Sequence, residues 1–103
     1  MFARAVRMHL KSESADEFTQ WIENEVIPVL RKQVGFLDEI AFVRPNRKEA
    51  IRITLWESKE NAEAYHRGAY PELLKSLASV VEGTPRARSF EVSNSTWHKI
   101  AAR

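Results

Sequence analysis

Two histidines, His9 and His66, carry the side chain best suited to take a proton near neutral pH. His9 stands two residues after Arg7, and in an extended strand those two side chains share a face. A base and a cation would then sit side by side. Trp56 closes an alternating run, Tyr65 directly precedes His66, and Arg88 lies in the last apolar stretch. A histidine (His9 or His66) could take the proton of a phenol or hydroquinone, Trp56 and Tyr65 could wall a planar aromatic ring, and Arg7 or Arg88 could steady the anion. Each has a plainer reading. Trp56 would be buried at a subunit interface, Tyr65 packed in the core, His66 solvated on a helix flank, and His9 a satisfied polar residue at the interface. His98, in the tail, has no evident partner.

Other chemistries find little support. The chain has 103 residues, no cysteine and a formal net charge of +2. That excludes disulfides, thiolate nucleophiles and cysteine metal sites, and the charge is too small to point to nucleic acid or an anionic membrane. His9, His66 and His98 have no metal-ligand spacing, so no metal is expected. The glycines are scattered at 35, 68 and 83 and form no phosphate loop, so no nucleotide cofactor is expected either. No apolar run approaches a membrane span, and the amino terminus lacks the apolar core of a signal peptide. A cytoplasmic location is the expectation. The basic loop Arg44, Arg47 and Lys48 reads as solvated.

The elements that must position these residues follow from periodicity. Phe2 to Leu10 alternates as a strand, with Phe2, Val6, Met8 and Leu10 on one face, Arg4 as the exception there, and Ala3, Ala5, Arg7 and His9 on the other. Ser14 is the expected cap of a helix whose stripe is Phe18, Ile22, Val26, Val29 and Leu30, with Trp21 beside it. Pro28 should kink or restart that helix, and Gly35 should end it. Phe36 to Val43 and Ala50 to Glu57 read as a hairpin. Ser58 caps a second helix from Lys59 to about Gly68, restarted at Tyr70–Pro71 and continuing through Leu73, Leu74, Leu77, Val80 and Val81 to Gly83. Thr84–Pro85 reads as a breaker, and Ala87 to Ser93 as a fourth strand.

The order β-α-β-β-α-β predicts an α+β, ferredoxin-like domain over 1–103. Its four-stranded antiparallel sheet would carry both helices on one face. The parity of the strands places Leu37, Ala41, Val43 and Trp56 on the uncovered face. That much apolar surface predicts a homodimer through the sheet face.

Two joints carry a resemblance. Pro28-Val29-Leu30-Arg31-Lys32-Gln33-Val34-Gly35-Phe36-Leu37 and Leu55-Trp56-Glu57-Ser58-Lys59-Glu60-Asn61-Ala62 resemble the antibiotic biosynthesis monooxygenase family, within the dimeric α+β barrel superfamily. The resemblance implies a cofactor-independent monooxygenase acting on a small phenol, hydroquinone or polyketide-like aromatic. The alternative is a non-catalytic small-molecule-binding or stress-associated dimer of the same fold. The superfamily also holds isomerases and heme-degrading enzymes. The latter use an Asn on the first strand and a Trp and a His on the second helix. Here the corresponding positions offer Arg7, Met8 and His9, then Tyr65 and Lys75, so heme chemistry is not carried over.

Overall fold

The structure, a computed structural model, describes residues 1–97; His98 and the rest of the tail lie outside them. The elements are β1 (Phe2–Leu10), α1 (Ala15–Trp21), a π turn (Ile22–Val26), α2 (Ile27–Leu30), β2 (Phe36–Val43), β3 (Glu49–Trp56), α3 (Lys59–Arg67), α4 (Tyr70–Leu77) and β4 (Val81–Glu91). The strands pair antiparallel in the order β2-β3-β1-β4. This is the ferredoxin-like α+β plan. The core lies between the sheet and the helices, where Val6, Met8, Leu10, Ala50 and Trp56 meet Phe18, Ile22, Val26, Leu30, Tyr65, Leu73 and Leu77.

The first helix follows its stripe, but not as one regular α-helix. Pro28 has no N–H for the carbonyl four residues before it. The chain absorbs this in the π turn, where the Ile27 N–H returns to the Ile22 carbonyl, and α2 restarts with Pro28 in its first turn. Phe18, Ile22, Val26 and Leu30 therefore all stay buried across the irregularity. Ser14 sits at the expected cap position, yet its hydroxyl makes no cap bond. Its backbone (φ −103°, ψ 4°) is not extended, and the hydroxyl donates to the Ser12 carbonyl at 3.4 Å instead. Ser58 does cap α3: extended at φ −145°, ψ 163°, it accepts from the Asn61 N–H at 3.2 Å.

Gly35 does not cap the first helical segment, which ends at Leu30 with Arg31 as its cap residue; it lies in the turn before β2 at φ +78°, where a side chain would be strained. Its carbonyl accepts from the Glu57 N–H at 2.8 Å, and the Asn61 side chain occupies the space a Cβ would need. This glycine therefore ties the start of β2 to the β3–α3 joint.

Two expectations are corrected. Trp56, Ala41 and Val43 are not on the uncovered face. Trp56 is fully buried beneath the helices, and Ala41 and Val43 pack against the same core. On β3 the inward residues are Ala50, Arg52, Thr54 and Trp56, while Ile51, Ile53 and Leu55 face the open side of the sheet. The register also slips between Phe36 and Asp38, so strict alternation from Phe36 misassigns part of β2. Ile40 pairs with Ile53 and Phe42 with Ile51, and the open face is apolar through these residues.

The second correction concerns the end of the chain. Helix α4 stops at Leu77, and β4 begins at Val81, well before Ala87. Val80 and Val81 are buried without being helical. Gly83, read as the stop of the helix, and Thr84–Pro85, read as a breaker, all lie inside β4. His9 pairs with Glu82 and Arg7 with Arg86, so Met8 alone spans three residues of β4. Gly83 takes φ +70° in this bulge, with open space where a Cβ would stand.

Candidate functional site

The residues singled out above fall in two places, on opposite faces of the sheet. Arg4, on the inward face of β1, reaches the space between the sheet and the α3–α4 pair. Arg52, on the inward face of β3, lies next to it across the ladder. Both guanidinium groups are buried, Arg4 at 7% and Arg52 at 2% exposure. Aromatic rings surround them. Trp56 and Tyr65 have ring centroids 5.1 Å apart, Tyr65 and Tyr70 5.9 Å, and His66 stacks on Tyr70 at 5.3 Å. The Arg4 guanidinium lies 5.8 Å from the Tyr70 centroid and that of Arg52 5.7 Å from Trp21. Such contacts favour a desolvated cation.

One carboxylate enters this region. Glu39 accepts from the Arg52 Nε at 3.2 Å, with both side chains almost wholly buried. The Trp56 indole donates to the Thr54 hydroxyl at 3.0 Å and the Trp21 indole to the Ser76 hydroxyl at 2.7 Å. Among the described residues, three side-chain polar atoms are buried without a hydrogen-bond partner: Arg4 Nη2, Arg52 Nη2 and Tyr65 Oη. Arg52 favours the Tyr65 phenolate through its charge and as an approaching hydrogen-bond donor, yet the geometry falls short of a formed bond at Oη or Nη2.

Burial dominates the proton affinities. It raises Tyr65 and Tyr70 above the usual phenol value and lowers Arg4, with the tyrosines acting in the opposite sense on Arg4. Burial first, then Arg4 and Arg67, lowers the His66 imidazole below its ordinary 6.5. His66 is itself exposed, at the outer edge of the cluster. A neutral imidazole beside buried cations and neutral phenols is a suitable proton acceptor.

The other group lies across the sheet. Arg7, His9 and Arg88 line a groove of about 590 Å³ on the open face, with Arg44, Glu49, Ile51, Glu82 and Arg86. His9 Nδ1 is 4.0 Å from a Glu49 carboxylate oxygen, whose other oxygen accepts from Arg44 at 2.9 Å. The expected set thus divides: Trp56, Tyr65 and His66 stand with the helices, whereas His9, Arg7 and Arg88 stand on the open face. They cannot contact one substrate together.

Sequence reading missed Arg4, Arg52, Glu39 and Tyr70 as members of one cluster. Arg4 gave the one visible signal, a charge at an inward position of an otherwise apolar strand face. Arg52 is hidden in sequence because alternation along β3 makes Ile51, Ile53 and Leu55 the more apolar face. Among the described residues, no group of three His, Asp or Glu side chains is placed to hold a metal ion, and no helix is long and apolar enough to cross a membrane.

A ferredoxin-like chain with buried arginines and tyrosines between sheet and helices is the class these features define. Its fold is that of the antibiotic biosynthesis monooxygenase structures. SnoaB, a cofactor-independent oxygenase from Streptomyces nogalater, is similar with a TM-score of 0.75 at 12% identity, over 92% of this chain and 95% of that one. The monooxygenase ActVA-Orf6 of Streptomyces coelicolor, solved with the ligand Nanaomycin D, is similar at 0.74 and 21% identity, over 91% and 88%. A protein of unknown function from Nitrosomonas europaea is similar at 0.76 and 15% identity, over 98% and 94%. No protein-family model and no curated protein sequence matches the chain.

Proposed function

We propose that this chain is a cofactor-independent monooxygenase of a small electron-rich phenol, hydroquinone or polyketide-like aromatic, bound between the sheet and α3–α4. The observation that carries the reading is the trio of buried, unpartnered polar atoms, Arg4 Nη2, Arg52 Nη2 and Tyr65 Oη, beside the Trp56 and Tyr70 rings. Unsatisfied buried donors cost stability, and a bound oxyanion would satisfy them. The similar folds of a cofactor-independent oxygenase and of a monooxygenase holding an aromatic ligand support the same class.

In this reading the substrate ring stacks against Tyr70 and reaches the cations through the α3–α4 joint, where Gly68 is not helical (φ −91°, ψ −81°). His66 accepts the phenolic proton, and Arg4 and Arg52 hold the resulting oxygen anion. The substrate carbanion gives one electron to dioxygen. Recombination of the two radicals forms a C–O bond, and the peroxide takes up a proton. That carbon then loses its remaining proton as the O–O bond breaks, and water leaves, so that a carbonyl stands at the carbon that met dioxygen. One dioxygen is consumed, with one oxygen atom in the product and one in water. The protein contributes orientation, exclusion of water and stabilisation of the anion.

The chain acts in this proposal as a single domain in the cytoplasm. It pairs with a second copy through the open face, where Ile40, Phe42, Ile51, Ile53 and Phe90 form an apolar surface. Sedimentation velocity tests the pairing; a monomer at micromolar concentration would remove it. Oxygen uptake by metal-free protein with a panel of hydroquinones and anthrones tests the chemistry. The expected result is turnover proportional to protein that falls in His66→Ala and persists in His9→Ala. No uptake above autoxidation would overturn the reading.

A further inference from the structure

We infer that the open-face groove between β1 and β4 is a separate binding site for a small oxyanion, a phosphoryl or carboxylate group, held by Arg7, Arg86 and Arg88. The argument begins with the ladder. Arg7 is directly opposite Arg86, and Arg88 is opposite Ala5, the next residue of β1 on the same face. Like charges facing each other across an antiparallel pair destabilise it. Arg7, Arg86 and Arg88 make no ion pair among the described residues. Two acids share the groove lining: Glu49 is engaged by Arg44 and approached by His9, and Glu82 stands opposite His9 in register and forms no ion pair with the three arginines.

The bulge is the second observation. A regular β1–β4 ladder would bring the strands together along their whole length. Here Gly83, Thr84 and Pro85 have no ladder partner opposite, and together with Arg7, Arg86 and Arg88 their first two residues line the cleft of about 590 Å³. Proline in a ladder would remove a bond, and Gly83 adopts a positive φ that lets the strand turn out. The irregularity therefore builds a concave space that three arginines line. Planar guanidinium forks match phosphate and carboxylate oxygens in pairs, whereas bulk chloride offers no such geometry. The cleft stands across the sheet from Arg4 and Arg52, so this site does not depend on the proposed oxygenase chemistry; it lies on the open face, where Arg7 is opposite Ile51, so the anion would be held at the seam of the proposed pairing of two copies.

The test is isothermal titration of the full chain with inorganic pyrophosphate and, separately, citrate, at ionic strength matched with sodium chloride. Saturable binding of at least one of them, weakened about tenfold or more by Arg86→Gln and by Arg7→Gln and unchanged by Arg31→Gln, is the expected result. Tighter binding of pyrophosphate assigns the phosphoryl class, and tighter binding of citrate the carboxylate class. Circular dichroism confirms that each variant is folded, and sedimentation is measured in parallel. The inference is overturned if neither anion binds above the chloride reference or if binding survives both substitutions. It is also overturned if the two substitutions abolish self-association instead, since the arginines would then be answered by carboxylates of a second copy.

Discussion

Arg52 and Glu39 form an ion pair at 3.2 Å, buried between β3, β2 and the helices, and Arg52 also lies over the Trp21 ring. A charge pair in this setting is held by geometry rather than by net attraction, because desolvation opposes the Coulomb term. Glu39→Gln should lower stability by about 3 kcal/mol, since Arg52 is left charged and buried. Replacing both residues with apolar side chains of similar volume should come close to wild type. Urea denaturation of the two singles and the double gives the coupling directly; a Glu39→Gln variant as stable as wild type would show that the pair contributes nothing.

Tyr65 is expected to behave as a binding residue kept at a structural cost. Its hydroxyl is buried without a partner. Tyr65→Phe should leave stability unchanged or raise it, by up to about 1 kcal/mol, because an unsatisfied polar group is removed. The same variant should weaken binding of a phenolic ligand. A loss of stability as large as a core truncation would mean that the hydroxyl has a partner in the folded protein.

Gly35 couples two joints. Gly35→Ala combines a positive φ with a clash against Asn61, whose backbone N–H is the one Ser58 caps. A loss of about 2 kcal/mol is expected, the backbone part alone exceeding the usual Gly-to-Ala effect. Adding Asn61→Ala should relieve the clash but not the φ strain. If the double variant is no better than the sum of the singles, the contact with Asn61 is irrelevant.

His66 supplies the pH dependence. Its imidazole is lowered below 6.5, first by burial and then by Arg4 and Arg67. The folded chain therefore binds fewer protons than the unfolded chain just below pH 6.5. Its contribution to stability is complete above that value and is lost as pH falls through the folded pKa. Nuclear magnetic resonance titration should show His66 titrating below 6.5, with an upward shift in Arg4→Gln. Wild type should also lose more stability than His66→Gln between neutral and mildly acidic pH. A His66 titrating at or above the ordinary value would leave Arg4 without influence at the edge of the cluster.

Local pattern was enough for the order of elements. The alternation of β1, the stripe of the first helix and the Ser58 cap before α3 are all short-range properties, and they recur in the structure. So is the positive φ of Gly35, which no neighbouring residue type could adopt as easily. From these the α+β order follows, because two strand–helix–strand units with short connections have few ways to pack. The aromatic and histidine candidates were also visible as residue types.

What alternation could not decide was which face of β3 meets the helices, since both faces carry large side chains. Ile51, Ile53 and Leu55 read as the natural core face, yet Arg52, Thr54 and Trp56 take it. The reason is nonlocal. Arg52 is tolerated inside because Glu39, from the neighbouring strand, and Trp21, from the first helix, come to it only when the chain is folded. The bulge at Gly83–Pro85 is likewise invisible in sequence, because a proline and a glycine argue against a strand until β1 is present to pair on both sides of them. Sequence alone thus determined the order of the elements and the fold class, but not where α4 ends and β4 begins. Tertiary structure decided that His9 and His66 lie on opposite faces of one sheet, because only the pairing of strands and the side on which the helices pack fix where a side chain points.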